Sequence, residues 1–413
     1  MKPYRNIWLM YAIALLQGMV FYGPIAALYR QSAGVTIFQI TIIESISLGL
    51  CLLLELPWGV IADRIGYKKT MLFCCCLYFL SKIVFWKAEG FLAFLAERIM
   101  LSIVISGLSG VENSILYLSD NYRTDYVKSG DKKTTETALP GKVHTQKIFG
   151  IYNNMQTLGL LIASFVYAVF VKDNYRLSGL LTVWSYGFSA VLAFFLTEVK
   201  DKTKEKAGVK EFTALLKQTL QNKYLIFFLI GVALLNETHQ TITVFLNQLQ
   251  YVRCGLSGTA IGYIYIGITI VGMAGVFSER LTRKLGITLL SVILYGAAFF
   301  ACIILGVTVN AVLSVGAIVI LRVSFSLFGP LQTELQNKLV RTENRATELS
   351  INAVIIDCTG IGTNVIFGRL ADAKLLYAML AGAVLCFAGF WLFMVGIKNA
   401  KKQIIQQTRK ISV

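Results

Sequence analysis

Gly59-Val60-Ile61-Ala62-Asp63-Arg64-Ile65-Gly66-Tyr67-Lys68-Lys69 closes one long apolar run of the chain, and Gly275-Val276-Phe277-Ser278-Glu279-Arg280-Leu281 closes another. Seven positions match in kind: a glycine, two apolar residues, a small residue, an acid, an arginine and an aliphatic residue. A weaker echo links Tyr29-Arg30-Gln31-Ser32-Ala33-Gly34 with Tyr251-Val252-Arg253-Cys254-Gly255. Matching signals at the same place in each half imply duplication of an ancestral unit, one of the architectures built by internal repeats in membranes.

The composition around these stretches excludes a soluble protein. Of 413 residues, 56% are apolar and 15% charged, with a mean hydropathy of +0.66. Soluble domains carry about 25% charged residues. Disorder is excluded by the same abundance of apolar side chain, and the eight cysteines are scattered through apolar runs rather than set in a disulfide framework. A helix needs roughly 20 apolar residues to cross about 30 Å of hydrocarbon. That ruler predicts twelve spans near 6–29, 37–62, 70–88, 91–118, 147–170, 178–198, 223–246, 258–278, 287–307, 310–333, 347–368 and 376–397. The runs are continuous rather than alternating, which excludes a barrel. The first lacks a small-x-small cleavage site and is expected to stay as a helix.

The net charge of +17 does not point to nucleic acid, because the basic residues lie in the gaps between spans rather than on one face with stacking aromatics. With the N-terminus inside, inner segments hold 29 Lys and Arg and outer gaps hold eight, Lys82 among them. That bias sets both termini in the cytoplasm of an inner or plasma membrane. The Lys-rich stretch 199–222 separates two halves, 1–198 and 223–398, with a cytoplasmic tail at 399–413. Residues 119–146 are expected to form a second cytoplasmic loop.

The stretch Gly59–Lys69 resembles the signature loop between helices 2 and 3 of the major facilitator superfamily. Glu55-Leu56-Pro57-Trp58, Ser109-Gly110-Val111-Glu112 and Arg345-Ala346-Thr347 are similar to features of its prokaryotic drug-efflux-type branch. The Gly-Pro-Gly-rich signature common in helix 5 of its drug–proton antiporters has no counterpart in residues 147–170, which lack proline. The resemblance implies an all-α polytopic membrane protein with twelve transmembrane helices in two pseudo-repeated six-helix bundles, the major facilitator fold. It also implies a monomeric secondary transporter of a small organic molecule in the lipid bilayer, working by alternating access, with export driven by a coupling proton. Uptake by symport is the alternative, and a non-transporting receptor or sensor with the same fold is a third reading.

In the signature loop, Gly59 permits close helix approach, and Asp63 can accept from the amides of a helix N-terminus. The resemblance nominates residues 345–350 as that partner. Arg64, Lys68 and Lys69, following Gly66, are expected to face Asp120 at the end of the fourth span, making a cytoplasmic gate.

Ionisable groups within a span cost about 2.5–3.5 kcal/mol each at mid-helix and are usually functional or paired. Glu55, Glu97 and Arg98 are placed by the sequence as structural or interfacial groups, whereas Glu44, Glu237, Arg322 and Asp357 sit deeper and Glu112 is intermediate; these last five are the candidate coupling and substrate residues. A carboxyl in a dehydrated passage can load a proton on one side and release it on the other. Gln17, Tyr22, Asn153, Asn154, Gln156, Asn236, Gln240 and Asn352 are candidate polar lining of a midplane site. No catalytic residue, cofactor or metal is expected. Cys74-Cys75-Cys76 lack ligand spacing, there are only two histidines, and there is no Gly-x-x-x-x-Gly-Lys phosphate loop.

Overall fold

The computed structural model describes residues 5–130, 141–172, 174–199, 217, 219–339 and 345–411. Within helices, the side chains at 56, 59, 60, 63, 121–130, 141–147, 345–347 and 400–411 lie outside that description. Regular secondary structure among the described residues is helical throughout. Among the described residues eleven segments are long and apolar enough to cross a membrane, and one of them, Gly258–Val307, runs for 50 residues. It divides at Gly286, whose φ of 75° and ψ of 160° are outside the helical region. The described residues thus hold twelve helices of membrane-crossing length.

They are α1 (Arg5–Ser32), α2 (Ile37–Ile65), α3 (Tyr67–Lys87), α4 (Gly90–Gly130), α5 (Gly141–Val166, continued by a π-turn Tyr167–Val171) and α6 (Tyr175–Phe194). The second six are α7 (Lys223–Arg253), α8 (258–285), α9 (287–307), α10 (Ala311–Leu339), α11 (Arg345–Ala373) and α12 (Leu375–Ile411). Two ends run past the sequence expectation. Helix α4 enters the predicted 119–146 loop as far as Gly130, and α12 continues through most of the predicted tail. In α12 the extension is rich in Lys, Gln and Arg, which are good helix formers, so helix persists there where hydropathy has already fallen.

The first helix of each half is irregular at mid-span. In α1, Gly18 ends the first half and a 3₁₀ turn at Gly23–Ile25 begins the second. In α7, a π-turn occupies Thr241–Leu246. Backbone groups freed at the α1 break find partners on one face of α6. Ser185 Oγ donates to the Leu16 carbonyl and Tyr186 OH to that of Gln17, each at 2.6 Å, while the Phe21 N–H donates to Thr182 Oγ1 at 3.0 Å. A lipid-buried break is tolerated only with such substitutes.

The duplication is visible in backbone detail. Helix α1 ends with the Val35 N–H on the Arg30 carbonyl and the Gly34 N–H on Gln31, with Gly34 at φ 85°. Helix α7 ends with the Leu256 N–H on Tyr251 and the Gly255 N–H on Val252, with Gly255 at φ 76°. Both are glycine-terminated Schellman caps, in which a side chain at the left-handed position would be strained. After α2 and α8 the chain turns at Gly66 (φ 105°) and Gly286 (φ 75°).

Two compact units result. One comprises Met1–Val35, Gly49–Lys204 and Gly258–Ile266; the other comprises Thr36–Leu48, Glu205–Ser257 and Gly267–Val413. The core of the first is built from Met10, Ile13, Met71, Cys74, Cys75, Val104, Ile115 and Ala193. In the second, a Cβ at Gly231 would lie 2.6 Å from the Phe393 backbone, and one at Gly396 the same distance from that of Phe228. These glycines let α7 and α12 pack backbone to backbone. Large apolar side chains such as Trp8, Phe170, Val312 and Trp391 stay exposed, the surface that a hydrocarbon solvent requires.

Candidate functional site

Within the second unit, α7 and α11 bring two acids together. The Glu237 carboxyl lies directly over Gly360, where a Cβ would be 2.8 to 3.0 Å from its carboxyl atoms. Asp357, one turn earlier on α11, is its electrostatic neighbour. Both are half-buried. Two carboxylates that feel each other across a low-dielectric space repel, and a proton or a cationic group on either relieves that repulsion. The absent side chain at Gly360 makes the approach possible.

Polar groups flank the pair. The Asn236 amide donates to Gln332 Oε1 on α10 at 3.1 Å, and the Thr241 hydroxyl donates to Asn364 Oδ1 at 3.0 Å. His239 stacks flat on Phe325, with centroids 3.9 Å apart and planes 2° from parallel. Its Nε2 lies 3.1 Å from Thr243 Oγ1 and 3.4 Å from Arg322 Nη1, and its buried Nδ1 has no hydrogen-bond partner. The Arg322 guanidinium fills the place of a side chain at Gly272, where a Cβ would be 2.6 Å from its Nε. Of the deep candidates, Glu237, Arg322 and Asp357 therefore share one region of one unit. Gln240 is exposed and Asn352 is buried.

Glu44 also falls in the second unit, buried on the first half of α2. That segment is stitched to α11. Ser45 Oγ donates to the Ile361 carbonyl at 3.3 Å, Thr41 sits against Gly368, and the Phe38 N–H donates to Asp372 Oδ1 at 3.1 Å.

Glu112 lies in the first unit, hydrogen-bonded by the Tyr152 phenol from α5, with Cys74 and Cys75 close by. Asn153, Asn154 and Gln156 on α5 are exposed, while Gln17 and Tyr22 are buried. The same unit holds a pair that hydropathy did not place. Lys82, assigned to an outer gap by the sequence, is buried within α3. Its Nζ lies 3.4 Å from Glu97 Oε1 and donates to Tyr22 OH at 3.0 Å. The rings of Tyr22, Tyr78 and Tyr186 surround it at 5.7, 5.0 and 5.4 Å. The predicted span 70–88 runs past Lys82, and only the charge count sets that lysine outside; the tyrosines at 22, 78 and 186 were the available signal that it belongs within.

At the signature loop, the side chain of Asp63 and those of 345–347 lie outside the described residues, as does any side-chain environment at Gly59. Arg64 and Lys69 are exposed and Asp120 is buried. Among the described residues no ion pair joins Arg64, Lys68 or Lys69 to Asp120. The acid that covers the turn is Glu198, at the end of the first half. Its Oε1 accepts from the Lys68 N–H at 3.3 Å, and its Oε2 would be 2.8 Å from a Cβ at Gly66. Among the described residues no three His, Cys, Asp or Glu converge as a metal site.

The sequence profile of the Major Facilitator Superfamily matches residues 7–358. An uncharacterised MFS-type transporter of Methanocaldococcus jannaschii is 23% identical over 377 residues, covering 89% of this chain and 90% of that protein. Among solved structures, the nucleoside transporter NupG superposes with a TM-score of 0.73 at 16% identity, covering 95% of this chain and 99% of that one. A D-xylose-proton symporter superposes with a TM-score of 0.66 at 12% identity, covering 97% of each chain. At such identities the likeness is one of fold.

Proposed function

The chain belongs to the Major Facilitator Superfamily, and on that premise we propose that it is a proton-coupled secondary transporter of a small organic molecule, with Glu237 and Asp357 as its coupling site. The supporting observation is the Glu237 carboxyl seated over Gly360, with Asp357 as its electrostatic neighbour. A proton on this pair removes a repulsion, so protonation and a change in the α7–α11 contact are energetically linked. Each charge moved down a potential of about 100 mV supplies about 2.3 kcal/mol for uphill transport.

The halves 1–198 and 223–398 rock about a central site in this reading, joined by the 199–222 linker and followed by the 399–413 tail. The protein acts as a monomer in the cell membrane with both termini in the cytoplasm, and export by antiport is the first direction. Gly59, Asp63, Arg64, Gly66, Lys68, Lys69 and Asp120 form its cytoplasmic gate, and Glu44, Glu112 and Arg322 are further candidates for coupling or substrate contact.

Uptake by symport is the second reading, favoured by the fold likeness to a D-xylose-proton symporter. Proteoliposomes of known orientation, loaded with a pH dye and given nucleosides, pentoses and organic amines in turn, separate the two. Export by antiport moves protons against the compound, and symport moves them with it. If no compound moves in response to a proton gradient, and an uncoupler changes nothing, the proposal fails.

A further inference from the structure

A cavity of about 160 Å³ opens between α2 and α4 in the first unit, and nothing in the coupling site uses it. Helix α2 contributes Glu55, Trp58 and Ala62, and Tyr67 closes it at the start of α3. One face of α4 supplies the rest, including Ser106, Ser109, Gly110 and Ser114. Glycine shapes the space on that face. A Cβ at Gly107 would lie 3.2 Å from the Trp58 indole, so the missing side chain lets the ring lie against α4. A Cβ at Gly110 would meet nothing within 4 Å.

The chemistry of the lining is one-sided. Ser106 Oγ donates to the Ser102 carbonyl at 2.9 Å, and Ser114 Oγ to the Gly110 carbonyl at 2.8 Å. Ser106 Oγ also lies 3.3 Å from the Cys51 carbonyl on α2, so both hydroxyl protons are taken by backbone carbonyls and lone pairs remain for an occupant. Glu55 adds a carboxylate that no cation among the described residues pairs with. Trp58 adds an aromatic face, the best of the side-chain rings for attracting a cation. Among the described residues no lysine, arginine or histidine lines the space.

We propose that this cavity is a binding site for a small organic cation, an alkylammonium held by the Glu55 carboxylate, the Trp58 ring and the serine oxygens. It lies within one unit and does not depend on the Glu237–Asp357 reading.

The test uses the full-length protein in phosphatidylglycerol nanodiscs, which keep choline headgroups away, and tetramethylammonium as the probe. Binding is followed by tryptophan fluorescence. The wild type should give a saturable change that disappears in Trp58→Phe, although four other tryptophans remain of the five. Glu55→Gln, equal in size, should weaken binding at least tenfold, and Gly110→Leu should abolish it by filling the space. Neutral 2,2-dimethylpropanol, of similar shape, should produce no saturable change. Melting curves that match the wild type show that the variants are folded. No saturable response in the wild type, an unchanged affinity in Glu55→Gln, or an equal response to the alcohol would each overturn the proposal.

Discussion

The Lys82 ammonium and the Glu97 carboxylate meet at 3.4 Å with both side chains almost wholly buried, 4% and 1% exposed. The contact joins α3 to α4, and the hydrogen bond from Lys82 to Tyr22 extends it to α1 at the edge of its break. Three tyrosine rings share the ammonium's charge, yet Glu97 Oε2 has no hydrogen-bond partner. Such a pair holds geometry more than it adds net stability, because desolvation of both ions offsets their attraction.

Breaking the pair on one side only should therefore be costly. Lys82→Met or Glu97→Gln alone leaves one buried charge without compensation, and each is expected to lose about 3–5 kcal/mol. The double variant removes both charges and should recover most of that loss. Thermal unfolding in detergent, followed by intrinsic fluorescence, measures all three. Additive losses in the double variant would show that the two groups act separately.

The α1 break should loosen when its partners on α6 are removed. Tyr186→Phe deletes the donor to the Gln17 carbonyl, and Ser185→Ala the donor to Leu16. Each leaves a buried carbonyl without its bond, at about 1–3 kcal/mol. Hydrogen exchange of the amides at 16–23 should quicken by tenfold or more, while the amides of α12 keep their wild-type rates. Unchanged exchange at the break would show that its carbonyls are satisfied by other groups.

These contacts also mark the limit of what the sequence discloses. Spans follow from composition, since hydrocarbon imposes the same demand on every helix, and the Gly59 and Gly275 stretches locate corresponding helix ends. Gly18 and the Gly23-Pro24 dipeptide sat in mid-span as signs of the α1 break, but a glycine there reads equally well as a packing notch. Lys82 is counted with the outer charges although the predicted span 70–88 contains it, because a charge count has no knowledge of the tyrosines that enclose it. Glu237 and Asp357 were separately visible as intramembrane acids. Their meeting depends on the rotation of α7 against α11 and on the missing Cβ at Gly360, which a single sequence leaves undetermined.

Glycine substitutions on α11 isolate that contact. Gly360→Ala places a methyl 2.8 Å from the Glu237 carboxyl carbon, so the carboxyl must leave its present place beside Asp357. Gly362→Ala, where a Cβ meets nothing within 4 Å, serves as the control. Proton-driven compound movement should fall at least tenfold in Gly360→Ala and stay within about twofold of wild type in Gly362→Ala, measured at equal protein per vesicle. Equal rates in the two variants would remove Gly360 from the account.

The turn after α2 gives a stability test. Gly66 adopts φ 105° beneath the Glu198 carboxylate, so Gly66→Ala meets both backbone strain and the acid's oxygens. Strained positions of this kind cost about 1–3 kcal/mol. Gly110→Ala, with open space around its Cβ, should melt within about a degree of wild type. Thermal melts of the two variants side by side check the contrast, and a Gly66→Ala protein as stable as wild type would contradict it.

Proton flux through the Glu237→Gln/Asp357→Asn protein is the most direct test of the coupling site. Both substitutions preserve size and remove the charges. With a compound that the wild type moves, the variant reconstituted in dye-loaded vesicles should still exchange labelled for unlabelled compound across the bilayer. It should carry no protons and build no gradient of that compound. Proton movement at the wild-type ratio in this variant would contradict the account.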